Sequence, residues 1–185
     1  DLRNIKKKLR IPLNLEIAPT NEMLKIALRY KPNYVCIVPE KRSEITTEGG
    51  LNLNKKQNFL KKIIYKLKKN NIRVALFIEP KLFDITLSKK LGADCVELHT
   101  GRYCNLFNNS KKTKSAFMKL KSSSIFAKKI GLRVHAGHGL SYQTAQKISK
   151  IKYISELNIG HFIIAESVFV SLKNSIKKFK RIINK

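Results

Sequence analysis

Gly131-Leu132-Arg133-Val134-His135-Ala136-Gly137-His138-Gly139-Leu140-Ser141-Tyr142 is the stretch that decides the fold. A glycine stops one helical pattern, and a short β-branched run follows. That run ends in a glycine-rich polar segment, and a serine then stands where a helix cap belongs. Strand, polar turn and capped helix in this order form the repeating unit of parallel α/β proteins. The same alternation extends in both directions. Strands are expected at Leu13–Ala18, Tyr34–Pro39, Ile72–Ile78, Cys95–Leu98, Leu132–Val134 and Leu157–Ile159, the last continuing toward Ile164. Helices are expected near Asn21–Tyr30 behind a Thr20 cap, and near Lys55–Asn70, Lys81–Lys90, Lys112–Ile130, Tyr142–Lys150 and Glu166–Ile183. The strand runs are nearly continuously apolar, as in parallel sheets covered on both faces.

Length alone favours an open doubly wound sheet, because a closed eight-stranded barrel usually takes about 250 residues. The polar residues favour the barrel. Glu16, Glu40, Glu79, Glu97, His99, His138 and His161 come from six different strand ends. An open sheet builds its site only near a switch point, whereas a barrel gathers residues from all around its rim. The expectation is therefore one domain, residues 1–185, forming a TIM (β/α)8-type barrel with about six of its eight strands and the first two missing. The opening pattern Asp1-Leu2-Arg3-Asn4-Ile5, continued by Leu9, begins in mid-helix without Met, which leads us to expect more chain upstream.

The formal charge is +27, from 31 Lys and 8 Arg against 12 acidic residues. Dedicated phosphate or guanine recognition favours Arg. Here the Lys pairs (Lys55-Lys56, Lys61-Lys62, Lys68-Lys69, Lys89-Lys90, Lys128-Lys129) are spread over the expected solvent faces of helices. A Lys/Ile/Asn-biased proteome explains them, with only non-specific polyanion binding at low salt and no specific nucleic-acid partner. Cys36, Cys95 and Cys104 include no CxxC pair, which suits a reducing, cytoplasmic setting. No apolar run reaches the roughly 18 residues of a membrane span, so no membrane association is expected.

All four histidines, His99, His135, His138 and His161, follow short apolar runs. Glu16 ends the first strand, where desolvation would suit a general base; the other reading is a salt bridge to a nearby Lys or Arg. Glu97 and His99 lie two residues apart and share a side if the strand continues. Small residues around His138 allow a tight turn and close approach of a ligand to an imidazole able to move protons near neutral pH. Gly160 and His161, together with the Gly139 region, fit the phosphate site that barrels build after their last two strands. Pro39–Gly50 is charged and hydroxyl-rich, as in a lid over an anionic substrate or an ordinary solvated loop. Glu97, His135 and His138 could also ligate zinc or iron. No HExxH or Cys pair accompanies them, and the glycines suit phosphate better, so no metal and no cofactor are expected.

The strings NLEIAPTNEML (14–24), VPEKRSEITTEGG (38–50), VELHTGRY (96–103), HAGHGLSY (135–142) and ELNIGH (156–161), taken together and in order, resemble the pyridoxine 5'-phosphate synthase family of vitamin B6 biosynthesis. The resemblance implies a TIM-type barrel that condenses 1-deoxy-D-xylulose 5-phosphate with 3-amino-2-oxopropyl phosphate, giving pyridoxine 5'-phosphate, phosphate and water without metal or cofactor. It also implies Glu16 as general base, His138 as proton donor and Glu97 as transition-state stabiliser. Gly139, Gly160 and His161 would hold the aminoketone phosphate, Thr46 would contact the deoxyxylulose phosphate, and the enzyme would be a homo-oligomer. The family's N-terminal strand with its Asn/Asp/His motif, and the following His- and Arg-bearing loop, are absent from this sequence. Two other readings compete: a non-catalytic truncated remnant, and a basic polyanion-binding protein.

Overall fold

The computed structural model describes residues 1–39, 49–54, 57–107 and 110–183. Its strands are β1 (Asn14–Ile17), β2 (Tyr34–Ile37), β3 (Arg73–Ile78), β4 (Cys95–His99), β5 (Arg133–Gly137) and β6 (Ile154–Asn158). The helices are α1 (Leu2–Lys8), α2 (Asn21–Tyr30), α3 (Gln57–Lys69), α4 (Leu82–Leu91), α5 (Gly101–Asn105), α6 (Ser110–Lys129), α7 (Tyr142–Ile148), α8 (His161–Val170) and α9 (Leu172–Ile183). The strands stand in the sheet in sequence order, β1 to β6. The pairs β1·β2, β2·β3 and β5·β6 are parallel. A doubly wound sheet reverses its strand order at a switch point, and this one does not. The fold is the α/β TIM type, with six strands among the described residues.

The chain divides into two compact units, Asp1–Glu97 and Leu98–Lys185. In the first, strand alternation sorts the side chains onto two faces. Val35, Ile37, Val74, Leu76 and Ile78 are buried, as are Leu60, Ile63, Ile64 and Leu67 of α3. Those four α3 positions recur at the spacing of a single helix face, so α3 lays one apolar stripe inward and turns Lys61, Lys62, Lys68 and Lys69 to solvent. Cys36, Ala75, Phe77 and Cys95, with Val38 against them, form a separate cluster. The Thr20 hydroxyl accepts from the Met23 N–H at 3.1 Å and starts α2 as a cap.

In the second unit, Val134 and Ala136 of β5 are buried together with Leu120 and Ala127 of α6. Gly131, at φ +78, ends the α6 segment as its sequence position foretold. Ser141 opens α7 with a capping box: its side chain accepts from the Thr144 N–H, and the Thr144 hydroxyl takes up the Ser141 N–H at 2.7 Å. Tyr142, Phe162 and Phe179 stack within 4.5–5.8 Å of one another and tie α7, α8 and α9 together.

Three expectations are corrected here. The last strand is Ile154–Asn158, and the chain turns at Gly160 into α8 instead of running on toward Ile164. Phe162, Ile163, Ile164, Val168, Phe169 and Val170 are β-formers spread around the helix, so no helical period shows; packing of Phe162 on the aromatic cluster wins over local preference. The helix expected over Glu166–Ile183 is broken at Ser171, whose φ of +71 separates α8 from α9. Finally, α5 was not expected, because Gly101 at its start reads as loop.

Candidate active site

In the first unit, register places Glu16 beside Cys36 and Cys36 beside Ala75, so these residues share one face of the sheet. Cys36 is fully buried, and its thiol lies 3.3 Å from Glu97 Oε2. Burial, then the charge and hydrogen bond of Glu97, then the charge of Glu16 push the Cys36 thiol well above its ordinary value. It therefore stays protonated and donates to the carboxylate. Glu97 is only 3% exposed, a buried carboxyl whose Oε2 accepts from this donor. Glu16 stands exposed, which corrects the expectation of a desolvated carboxylate: β1 stands at the end of the strand order, and its Glu16 side chain is open to water.

Thr46 and Glu40 lie outside the described residues, as does most of the expected lid. Its returning end is fixed at Gly50, whose N–H donates to Glu79 Oε1 at 3.1 Å. A Cβ on Gly50 would fall 2.4 Å from the Glu79 nitrogen, so only glycine passes there. Glu79 thereby has a structural task.

In the second unit, β5 delivers the turn that carries His138. His138 has φ +79 and Gly139 φ +77, two successive left-handed residues, and both are exposed. A glycine adopts this readily; a histidine does so at a cost. Gly139 is further confined, since a Cβ would lie 3.3 Å from Cys104 Cβ. The His99 ring meets the His138 ring edge to face at 5.0 Å. β4 runs one residue past its expected end at Leu98 to include His99, and β5 runs three residues past Val134 to include His135; the two histidines are 4% and 5% exposed. His135 Nδ1 is 3.5 Å from Glu156 Oε1 on β6. Desolvation lowers the His135 pKa, Glu156 opposing and Arg133 reinforcing the shift, so this imidazole is a buried support.

Gly160 precedes α8 and His161 is its first residue, both exposed. Because β5 and β6 are parallel, the His138 turn and this helix start follow the same ends of the two strands. A helix N-terminus with unpaired N–H groups attracts anions, and a Cβ on Gly160 would meet nothing within 4 Å. Phe162, locked between Tyr142 and Phe179, fixes this start.

Sequence reading missed Cys36, Thr100 and Gly101. The alternation around Cys36 put it on a strand, yet nothing local tells which carboxylate it meets. Among the described residues, no helix is long and apolar enough to cross a membrane.

Comparison with known proteins gives one consistent answer. The family described as pyridoxal phosphate biosynthesis protein PdxJ matches residues 1–185. The chain is 51% identical over 185 residues to the pyridoxine 5'-phosphate synthase of Pelagibacter ubique, covering 100% of this chain and 77% of that protein. It is 49% identical over 183 residues to the enzyme of the same name from Ehrlichia chaffeensis, covering 99% and 74%. Among solved structures, a 4-hydroxy-2-oxoglutarate aldolase/2-deydro-3-deoxyphosphogluconate aldolase is similar at TM-score 0.64 and 8% identity, over 98% of this chain and 75% of that one. A xylose isomerase domain protein from Planctomyces limnophilus is similar at TM-score 0.57 and 12% identity, over 95% and 72%. At such identities these two speak for the fold alone.

Proposed function

The chain belongs to the PdxJ family of pyridoxal phosphate biosynthesis proteins, whose named relatives are enzymes, and from that premise we propose that the encoded protein is a pyridoxine 5'-phosphate synthase. It condenses 1-deoxy-D-xylulose 5-phosphate with 3-amino-2-oxopropyl phosphate, and releases pyridoxine 5'-phosphate, phosphate and water. An amine joining a ketone expels water only once the intermediate's oxygen is protonated, and eliminating phosphate from a carbon chain needs a base at the neighbouring carbon. Both steps are general acid–base work.

His138 is the proton donor in this reading. The observation that carries it is the exposed, left-handed His138-Gly139 turn directly after β5, which sets an imidazole at a strand end with room for a ligand against the backbone. Glu16, exposed at the end of β1, is the general base. Glu97, buried and hydrogen-bonded by Cys36, supplies negative charge that stabilises developing positive charge in the transition state. Gly139, Gly160 and His161 hold the aminoketone phosphate, and Thr46 contacts the deoxyxylulose phosphate. The reading requires no metal or organic cofactor, and it takes the enzyme as a cytoplasmic homo-oligomer.

The test is phosphate release by the encoded protein, which should require both substrates together. Glu16→Gln and His138→Asn should each lower turnover by at least about a hundredfold, the scale of general acid–base contributions. Wild-type turnover in either variant removes that residue from its role.

A further inference from the structure

We propose that Thr100, aided by the glycine after it, is a positioning residue that fastens the His138 turn and so aims the imidazole. This deepens the reading of His138 as proton donor and rests on it.

Thr100 directly follows β4 and is completely buried. Its N–H donates to the Gly137 carbonyl at 2.8 Å, and its hydroxyl reaches both the Gly137 carbonyl at 2.8 Å and the His138 carbonyl at 2.6 Å. One hydroxyl hydrogen is thus shared between two carbonyls of consecutive residues, at the point where β5 leaves the sheet. Cys104 adds a weak thiol contact to the same His138 carbonyl at 3.9 Å.

The held segment needs holding. His138 sits at φ +79, a conformation that an L-residue abandons unless its surroundings impose it. If the carbonyls were released, the turn could relax and carry the ring away. Gly101 completes the device by leaving space: a Cβ there would lie 2.5 Å from His99 Nε2 and 3.1 Å from His138 Cδ2. With glycine there, the His99 and His138 rings meet edge to face at 5.0 Å, whereas a Cβ would force the His99 ring to shift. Thr100 itself, fully buried with its hydroxyl on two carbonyls, acts through His138.

The experiment compares Thr100→Val, which keeps the shape but removes the hydroxyl, with Thr100→Ser, which keeps the hydroxyl, in the encoded protein. We expect Thr100→Val to lower kcat about tenfold with KM for both substrates within about twofold, as misplacement of a catalytic group does. The pH limb that His138→Asn abolishes should shift in Thr100→Val, and Thr100→Ser should restore both kcat and profile. Should Thr100→Val fail to fold, Thr100→Ser still decides: a tenfold loss in that variant overturns the proposal, and wild-type behaviour supports it. Wild-type kcat and pH profile in folded Thr100→Val, with His138→Asn inactive, overturns the proposal while leaving the acid assignment standing. Wild-type turnover in His138→Asn overturns the reading beneath it and the proposal with it.

Discussion

His138 and His135 lie three positions apart in the sequence and do opposite things. His138 is pushed out of the strand by a left-handed turn and faces solvent, whereas His135 points into the sheet and is kept neutral by burial. The difference has a consequence for stability. Because the folded-state pKa of His135 lies below the ordinary 6.5, the unfolded chain takes up a proton below that pH that the folded chain refuses. Stability should then fall as pH drops from about 6.5 toward the folded value, and His135→Gln should flatten that slope. Urea midpoints collected across this range check it; equal slopes in the two proteins would count against a buried neutral His135. The sequence announced His138 through its flanking glycines, which signal strain and close approach. It could not announce Thr100 or Cys36, since their partners at His138 and Glu97 lie 38 and 61 positions away and depend on how strands align.

Elements were legible where one face is buried and the other wet. The stripe of α3 and the caps of α2 and α7 follow from spacing and from single hydroxyl residues, and they stand where expected. Ser141→Ala removes the acceptor that satisfies the Thr144 N–H, and we expect a loss of about 1 kcal/mol of stability. Denaturant unfolding measures it, and an unchanged midpoint would show that Thr144 alone suffices. The end of β6 was not legible, because α8 carries apolar side chains all round: Ile164, Val168 and Phe169 remain 62%, 79% and 85% exposed. Such a segment has neither a helical nor a strand period, so only its packing through Phe162 decides.

At the scale of the molecule, strand order and the placement of acids and histidines at strand ends carried the fold class. A site gathered from many strands is what distinguishes a barrel-type arrangement from a doubly wound one. The +27 charge said little about function, since the described Lys pairs are exposed on several helices of both units. What remains central is the condensation itself. It is tested most directly by incubating the encoded protein with 1-deoxy-D-xylulose 5-phosphate and nitrogen-15-labelled 3-amino-2-oxopropyl phosphate and weighing the product by mass spectrometry. We expect pyridoxine 5'-phosphate carrying the label in its ring, formed together with an equal amount of inorganic phosphate. Unchanged substrates, or phosphate released without labelled product, would contradict it.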